Sequence, residues 1–171
     1  DAQSLALGND NGFIEPQHLV AAMLEQEDGG TASLLSRAGV AVPKLKGALA
    51  KAIERLPKVE GQGGEIGVSR DLGNLLNLAD KEATKRGDQF IASELFLLAL
   101  ADDKGDTGRL LKDAGLTRKA LETAIEAVRG YWYATEVPRI GHVRLPLEAS
   151  GHFPLNRLGF NLALRARKPA S

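Results

Sequence analysis

The chain has 171 residues, with 22 Lys and Arg against 22 Asp and Glu, no cysteine and three histidines. A chain of this length can bury a core without disulfides or a structural metal, and without cysteine it has neither a thiol nucleophile nor a thiolate metal site. The zero net charge argues against a general nucleic-acid-binding protein, and the longest apolar run, Leu95 to Ala101, is far too short to span a bilayer. We therefore expect no nucleic-acid or membrane partner and a cytoplasmic location.

The segment that opens the chain, Asp1 to Leu7, reads like the middle of a helix. It begins with aspartate rather than methionine and lacks the basic start and apolar centre of a signal peptide. We therefore expect the sequence to be a fragment whose first helix has lost its opening turns. Pro16 suits a first helical turn, and apolar residues at three-to-four spacing predict that the next helix continues towards Gly29.

Two further helices are predicted to complete the first half of the chain. Thr31 is expected to cap a short helix that Gly39 closes, because glycine adopts the left-handed conformation at a helix end without a steric penalty. Pro43 opens the following helix and Pro57 stops it. The next segment, Val59 to Val68, is rich in glycine and is predicted to be a mobile linker.

The second half is predicted to follow the same plan. A longer helix covers about residues 70–86, and Ser93 is expected to cap the helix after it. Residues 106–113 form a short helix, and Thr117 caps a last helix that continues through Val128.

An internal repeat relates these two halves. Phe13-Ile14 recurs as Phe90-Ile91 and Ala38-Gly39 recurs as Ala114-Gly115, at offsets of 77 and then 76 residues. No five-residue stretch of the first 130 residues alternates apolar and polar side chains with a β-branched bias, so the predicted fold class is all-α. We expect two pseudo-symmetric four-helix repeats followed by an irregular C-terminal tail. The predicted segments are repeat one at 1–57, a glycine-rich linker at 58–69, repeat two at 70–130 and the tail at 131–171.

The tail differs sharply from the repeats in composition. Residues 1–130 carry 16 basic and 20 acidic side chains, whereas residues 131–171 carry 6 and 2 and also hold the only tryptophan and four of the seven prolines. The zero net charge is therefore a cancellation between an acidic part and a basic part. We assign no family and no function to this basic tail, which is predicted to be disordered or non-native.

No constellation of residues points to catalysis. The glycine-rich linker lacks the Gly-Lys-Ser/Thr ending of a phosphate-binding loop, so no nucleotide site is predicted. A Ser-His-Asp arrangement needs a histidine held between nucleophile and carboxylate, and the only histidine of the repeats, His18, lies in a first helical turn, which favours a structural role. His142 and His152 lack clustered carboxylates and predict no metal site, and Asp102-Asp103 is interpreted as a solvated helix end. We expect no catalytic, cofactor-binding or metal-ligating residue, and a domain that works by binding.

Four segments carry a resemblance to a known family, and they are spread over residues 1–130. The segments are Phe13-Ile-Glu-Pro-Gln-His-Leu19, Arg55-Leu-Pro-Lys-Val-Glu-Gly-Gln-Gly-Gly64, Lys85-Arg-Gly-Asp-Gln-Phe-Ile91 and Ser93-Glu-Leu-Phe96. Through them the chain resembles the N-terminal Clp repeat domain of the ClpB AAA+ disaggregase chaperones, which belong to the stress response.

The resemblance implies a substrate-binding module. In the family this domain binds unfolded or aggregated polypeptide through an apolar groove, above hexameric rings that use ATP and magnesium for disaggregation. Those rings are absent from this chain, so it is expected to be a non-enzymatic domain without a cofactor of its own and, in isolation, a monomer. The substrate-binding residues that the resemblance implies are Leu76, Asp88, Ile91, Glu94, Leu95 and Phe96.

Other interpretations of these residues remain open. Ile91 and Phe96 recur in repeat one, which favours a place in the core, while Asp88 is also suited to a turn and Glu94 to the positive end of a helix. For the whole domain, the alternatives are an adaptor-docking module of a Clp protease ATPase and a free N-domain that sequesters substrate.

Overall fold

The computed structural model describes residues 1–26, 30–59 and 66–139. Within these ranges the chain forms eight helices and two very short strands, which confirms the all-α prediction. The helices of the first half are α1 (Ala2–Gly8), α2 (Pro16–Glu25), α3 (Thr31–Arg37) and α4 (Val42–Glu54). Those of the second half are α5 (Arg70–Arg86), α6 (Ser93–Asp102), α7 (Asp106–Asp113) and α8 (Arg118–Arg139). None of the described helices is long and apolar enough to cross a membrane.

The ends of α3 and α7 share one geometry, as the repeat predicts. Gly39 and Gly115 both have positive φ angles, 84° and 107°. The amide after each glycine donates a hydrogen bond back into the helix, from Val40 to the Leu35 carbonyl and from Leu116 to the Leu111 carbonyl, both at 2.9 Å. These bonds satisfy carbonyl groups that the helix itself leaves without partners, so the predicted glycine-terminated ends are confirmed.

The two glycine ends also meet each other at the contact between the repeats. The Ala41 amide donates to the Ala114 carbonyl at 2.9 Å. A β-carbon added to Gly115 would lie 3.0 Å from the Gly39 carbonyl oxygen, so this approach needs glycine as well as a left-handed conformation. The packing of α3 on α8 and of α4 on α7 is what a pseudo-twofold relation between the repeats requires.

The core is centred on α6, in which every residue from Glu94 to Ala101 is buried. A helix that is apolar all round has no face for water and is enclosed by its neighbours, here α5, α7 and α8. The apolar sides of α2, α3 and α4 join the same core through buried leucines such as Leu34, Leu35, Leu45 and Leu49.

Several helix boundaries differ from the prediction. Gly30 and Ala92 hold the N-cap positions of α3 and α6, one residue before the predicted Thr31 and Ser93, whose backbones are already helical. Thr117 does cap α8, because its hydroxyl oxygen accepts from the Ala120 amide at 3.2 Å. The helix α8 continues to Arg139, past the predicted end at Val128 and past the change in composition, which shows that composition does not mark its end.

Two strands add a feature that the sequence did not predict. β1 (Phe13–Ile14) pairs in parallel with β2 (Gly67–Val68), and each is too short to show an alternating pattern. The Ser69 amide also donates to the Ile14 carbonyl at 3.1 Å, and the Val59 amide to the Asp10 carbonyl at 2.8 Å. Both ends of the predicted linker are therefore attached to the loop before α2, while residues 60–65, its glycine-rich middle, lie outside the described residues.

His18 is fully buried and holds this loop in place. Its Nδ1 accepts from the Glu15 amide at 2.9 Å, and its Nε2 lies 3.0 Å from Asn11 Oδ1. Because the amide can only donate, Nδ1 carries no proton and Nε2 is the donor to Asn11. Asn11 in turn donates from Nδ2 to the Pro57 carbonyl at 3.3 Å. The structural role predicted for His18 is thus a link between α2 and the end of repeat one.

We expect this link to make stability depend on pH below neutrality. Burial lowers the pKa of His18 below its ordinary value of 6.5, so the folded state takes up a proton less readily than the unfolded state. The stabilisation is present above pH 6.5 and is lost as the pH falls through the folded-state pKa. Urea unfolding followed by helical circular dichroism at pH 7.5, 6.5 and 5.5 measures this loss. A His18→Gln variant should lack this component, and parallel profiles for the two proteins would contradict the assignment.

Candidate functional site

The six predicted site residues lie on one helix–loop–helix unit, formed by α5, α6 and the residues between them. We call residues 87–92 the α5–α6 loop. Leu76 is on α5 and half-buried, Asp88 is half-buried in the loop, and Ile91 is 39% exposed. Glu94, Leu95 and Phe96 form the start of α6 and are buried, with exposures of 1%, 0% and 2%. The six residues therefore belong to one unit of the fold, but only Leu76, Asp88 and Ile91 are exposed or partly exposed to solvent.

The α5–α6 loop is anchored at both ends. Gly87 ends α5 in the left-handed conformation, with φ 73°, and the Asp88 amide donates to the Ala83 carbonyl at 2.9 Å. At the other end the Ala92 side chain is buried and its carbonyl accepts from the Leu95 amide at 3.0 Å. Short glycine-terminated connections of this kind leave the chain little freedom, so the residues between the anchors are displayed in a defined position.

Phe90 is the most exposed large apolar side chain of the described residues, at 65%, and it lies next to Ile91 in this loop. The sequence interpretation did not include Phe90 among the site residues. Its recurrence as Phe13 was used only to define the repeat, although Phe13 is also exposed, at 57%. The polar stretch Lys85-Arg-Gly-Asp-Gln before Phe90 was a local signal that this aromatic side chain follows a surface turn.

Glu94, Leu95 and Phe96 lie beneath the loop. Leu95 and Phe96 belong to the hydrophobic core, as the alternative for Phe96 anticipated. Glu94 stands in the first turn of α6, where a carboxylate is favoured by the partial positive charge of the helix end, and it interacts with other groups of the fold. In this conformation these three side chains are buried and are not presented to solvent.

An ionic cluster joins α5 and α6 of this unit to α8. Arg118 of α8 extends Nη2 to Glu82 Oε2 at 3.2 Å, Nε to Glu122 Oε1 at 2.9 Å, and Nη1 to Asp102 Oδ2. The interpretation of Asp102 as a solvated helix end is confirmed, because it is the last residue of α6 and its side chain is 60% exposed, although its carboxylate is also ion-paired. Its neighbour Asp103 accepts from the Gly105 amide at 3.0 Å, which shapes the turn into α7.

Partial burial by itself raises the pKa of the Glu82 carboxyl, but the guanidinium of Arg118 and the ammonium of Lys85 together outweigh this effect, and the pKa lies below its usual value. The same cluster raises the pKa of Arg118, against the opposing effect of its own burial. Glu82 and Arg118 are therefore both charged at neutral pH.

Comparison with known proteins gives one consistent family. The family model of the Clp repeat (R) N-terminal domain matches residues 1–114. Among curated proteins, the chain is 50% identical over 130 residues to the chaperone protein ClpB of Vibrio cholerae and 47% identical over 130 residues to that of Pseudomonas putida. Each alignment covers 76% of this chain and 15% of the relative.

The fold has a solved counterpart. The crystal structure of the Hsp104 N-terminal domain from Candida albicans superposes with a TM-score of 0.64 at 25% sequence identity, and the match covers 75% of this chain and 84% of the other. The arrangement of helices in this chain is therefore also found in a solved N-terminal domain.

Proposed function

The chain belongs to the Clp repeat N-terminal domain family, and we propose that its folded part binds unfolded or aggregated polypeptide as the N-terminal domain of a ClpB-like chaperone. It spans only about 15% of the length of its ClpB relatives. In the proposed role, ATP-driven disaggregation is carried out by AAA+ rings not present in this chain, and the domain itself is non-catalytic and needs no cofactor. As an isolated domain it is proposed to be monomeric and to act in the cytoplasm.

The observation that carries the proposal is the exposure of Phe90 and Ile91 side by side in an anchored loop. Single exposed apolar residues are ordinary on protein surfaces, but an adjacent aromatic and β-branched pair presents an apolar area that a partner can cover. Covering apolar surface contributes about 25 cal/mol per Å², so a patch of only two side chains supports weak and unselective binding. Such binding suits the exposed apolar segments of unfolded chains.

Phe90 and the six predicted site residues have different roles in this proposal. Phe90 and Ile91 contact the bound polypeptide, and half-buried Leu76 is proposed to contribute from α5. Asp88 is proposed to favour basic segments at the edge of the loop. The buried side chains of Glu94, Leu95 and Phe96 hold the start of α6, from which the loop takes its position.

Replacing Phe90 with alanine should weaken the binding of unfolded protein about fivefold, because an exposed aromatic contact contributes about 1 kcal/mol to association. Fluorescence anisotropy with labelled, reduced and carboxamidomethylated α-lactalbumin measures the dissociation constant. The matched control is Phe13→Ala, which removes a phenylalanine of similar exposure, 57%, from repeat one and should change the affinity less than twofold. Equal effects of the two substitutions, or no effect of either, would contradict the assignment to the α5–α6 loop.

A further inference from the structure

Arg118 occupies an unusual position among the charged side chains of the domain. Each of its three nitrogen positions faces a different carboxylate, and these belong to three helices: Glu82 on α5, Asp102 at the end of α6 and Glu122 on α8 itself. The planar guanidinium has five N–H donors in a fixed arrangement, so it can satisfy several carboxylates at once, which a lysine cannot do. Arg118 therefore ties together the two helices that flank the α5–α6 loop.

The cluster continues to the last residue of α5. Arg86 Nη2 lies 3.7 Å from Glu82 Oε2 and 3.8 Å from Glu122 Oε1, so Arg86 shares two carboxylates with Arg118. The chain passes from Arg86 directly into Gly87 and the α5–α6 loop. The charges that attach α5 to α8 thus lie at the point where the loop begins.

Removing Arg118 would leave an unfavourable arrangement of charge. The Glu82 side chain is only 13% exposed, and a partly buried carboxylate is destabilising unless it is paired. Glu82, Asp102 and Glu122 would then repel one another, with Arg86 and Lys85 left to compensate Glu82. The simplest relief is movement of the last turn of α5 away from α8, which displaces the loop.

We propose that Arg118 is a positioning residue for the α5–α6 loop and thereby sets its affinity for unfolded polypeptide. The affinity part rests on the proposed function, whereas the positioning of the loop stands on the ion pairs alone. Arg118 acts through Glu82 and Arg86 and does not contact the bound chain.

The test is Arg118→Met in the full chain, which keeps the length of the side chain and removes its charge. We expect the dissociation constant for labelled, carboxamidomethylated α-lactalbumin to rise about fivefold. We also expect the amides of residues 86–92 to exchange with deuterium about tenfold faster, while those of α3 and α4 are unchanged. The control Arg109→Met removes the same charge from the exposed pair with Asp106 on α7 and should change neither measurement.

A second variant separates positioning from loss of packing. Glu82→Gln in the Arg118→Met background removes the charge of the partly buried carboxylate that has lost Arg118, and it should return the dissociation constant to within about twofold of the wild-type value. Unchanged exchange at residues 86–92, or faster exchange throughout the domain, would overturn the proposal. The proposal would also be overturned if Arg118→Met bound unfolded protein with wild-type affinity while Phe90→Ala bound it more weakly. If Arg118→Met exchanges faster at residues 86–92 but neither Arg118→Met nor Phe90→Ala changes the affinity, the proposed function is refuted and the positioning of the loop by Arg118 stands.

Discussion

Replacing Leu97 with alanine is expected to lower the free energy of unfolding by about 2–5 kcal/mol. Leu97 is 0% exposed and lies in the middle of α6, which is buried on all sides. Truncation removes apolar contacts and leaves a cavity that the surrounding helices cannot close without moving. Since small domains are stable by only about 5–15 kcal/mol, this single change consumes a large part of the total. Urea unfolding followed by circular dichroism at 222 nm gives the value directly.

The matched control is Leu78→Ala on α5. The chemical change is the same, but Leu78 is 45% exposed and its truncation creates no enclosed cavity. We expect a loss below about 1 kcal/mol for this variant. Similar losses for the two leucines would mean that α6 is not the centre of the core.

The substitution Gly108→Ala is expected to destabilise the domain by about 1–3 kcal/mol, although alanine is the better helix former. Gly108 lies in α7, and a β-carbon there would approach the Asp103 carbonyl oxygen to 2.6 Å and its carbonyl carbon to 3.0 Å. These atoms belong to the backbone of the turn between α6 and α7, so no change of rotamer relieves the clash. Differential scanning calorimetry should show a lower melting temperature.

The control for this prediction has the opposite sign. Gly73 lies within α5, and a β-carbon added there meets no atom within 4 Å. Gly73→Ala should therefore stabilise the protein by about 0.5–1 kcal/mol, because alanine reduces the backbone entropy lost on folding. A stable Gly108→Ala variant would show that the turn before α7 accommodates a side chain.

Local signals in the sequence predicted the helices and their ends well. The left-handed glycines 39 and 115 and the Thr117 cap were correct because these features depend on the conformation of a few consecutive residues. The two halves could be aligned for the same reason, since each repeats the same local signals. The starts of α3 and α6 differed by one residue because adjacent Gly-Thr and Ala-Ser pairs both permit a helix start there.

The candidate site was predicted less completely than the fold. The resemblance implied residues of α5, the α5–α6 loop and α6, but it did not distinguish exposed from buried positions. Phe90 and Phe96 are both aromatic and six positions apart, yet one is 65% exposed and the other lies in the core. Phe90 lies in the α5–α6 loop, whereas Phe96 lies in α6, which α5, α7 and α8 enclose, so the difference depends on the packing of these helices.

The amino-acid sequence alone was sufficient to establish two helical repeats, their glycine-terminated helices and the absence of a recognisable catalytic motif in them. These properties follow from the chemistry of residues that are neighbours in the chain, and the sequence contains that information completely. The parallel pairing of β1 with β2, the buried link from His18 through Asn11 to Pro57 and the contacts of Arg118 with three carboxylates required the folded molecule. Each of them includes contacts between residues far apart in the chain, and the proximity of those residues results from the packing of whole helices, which no local pattern records.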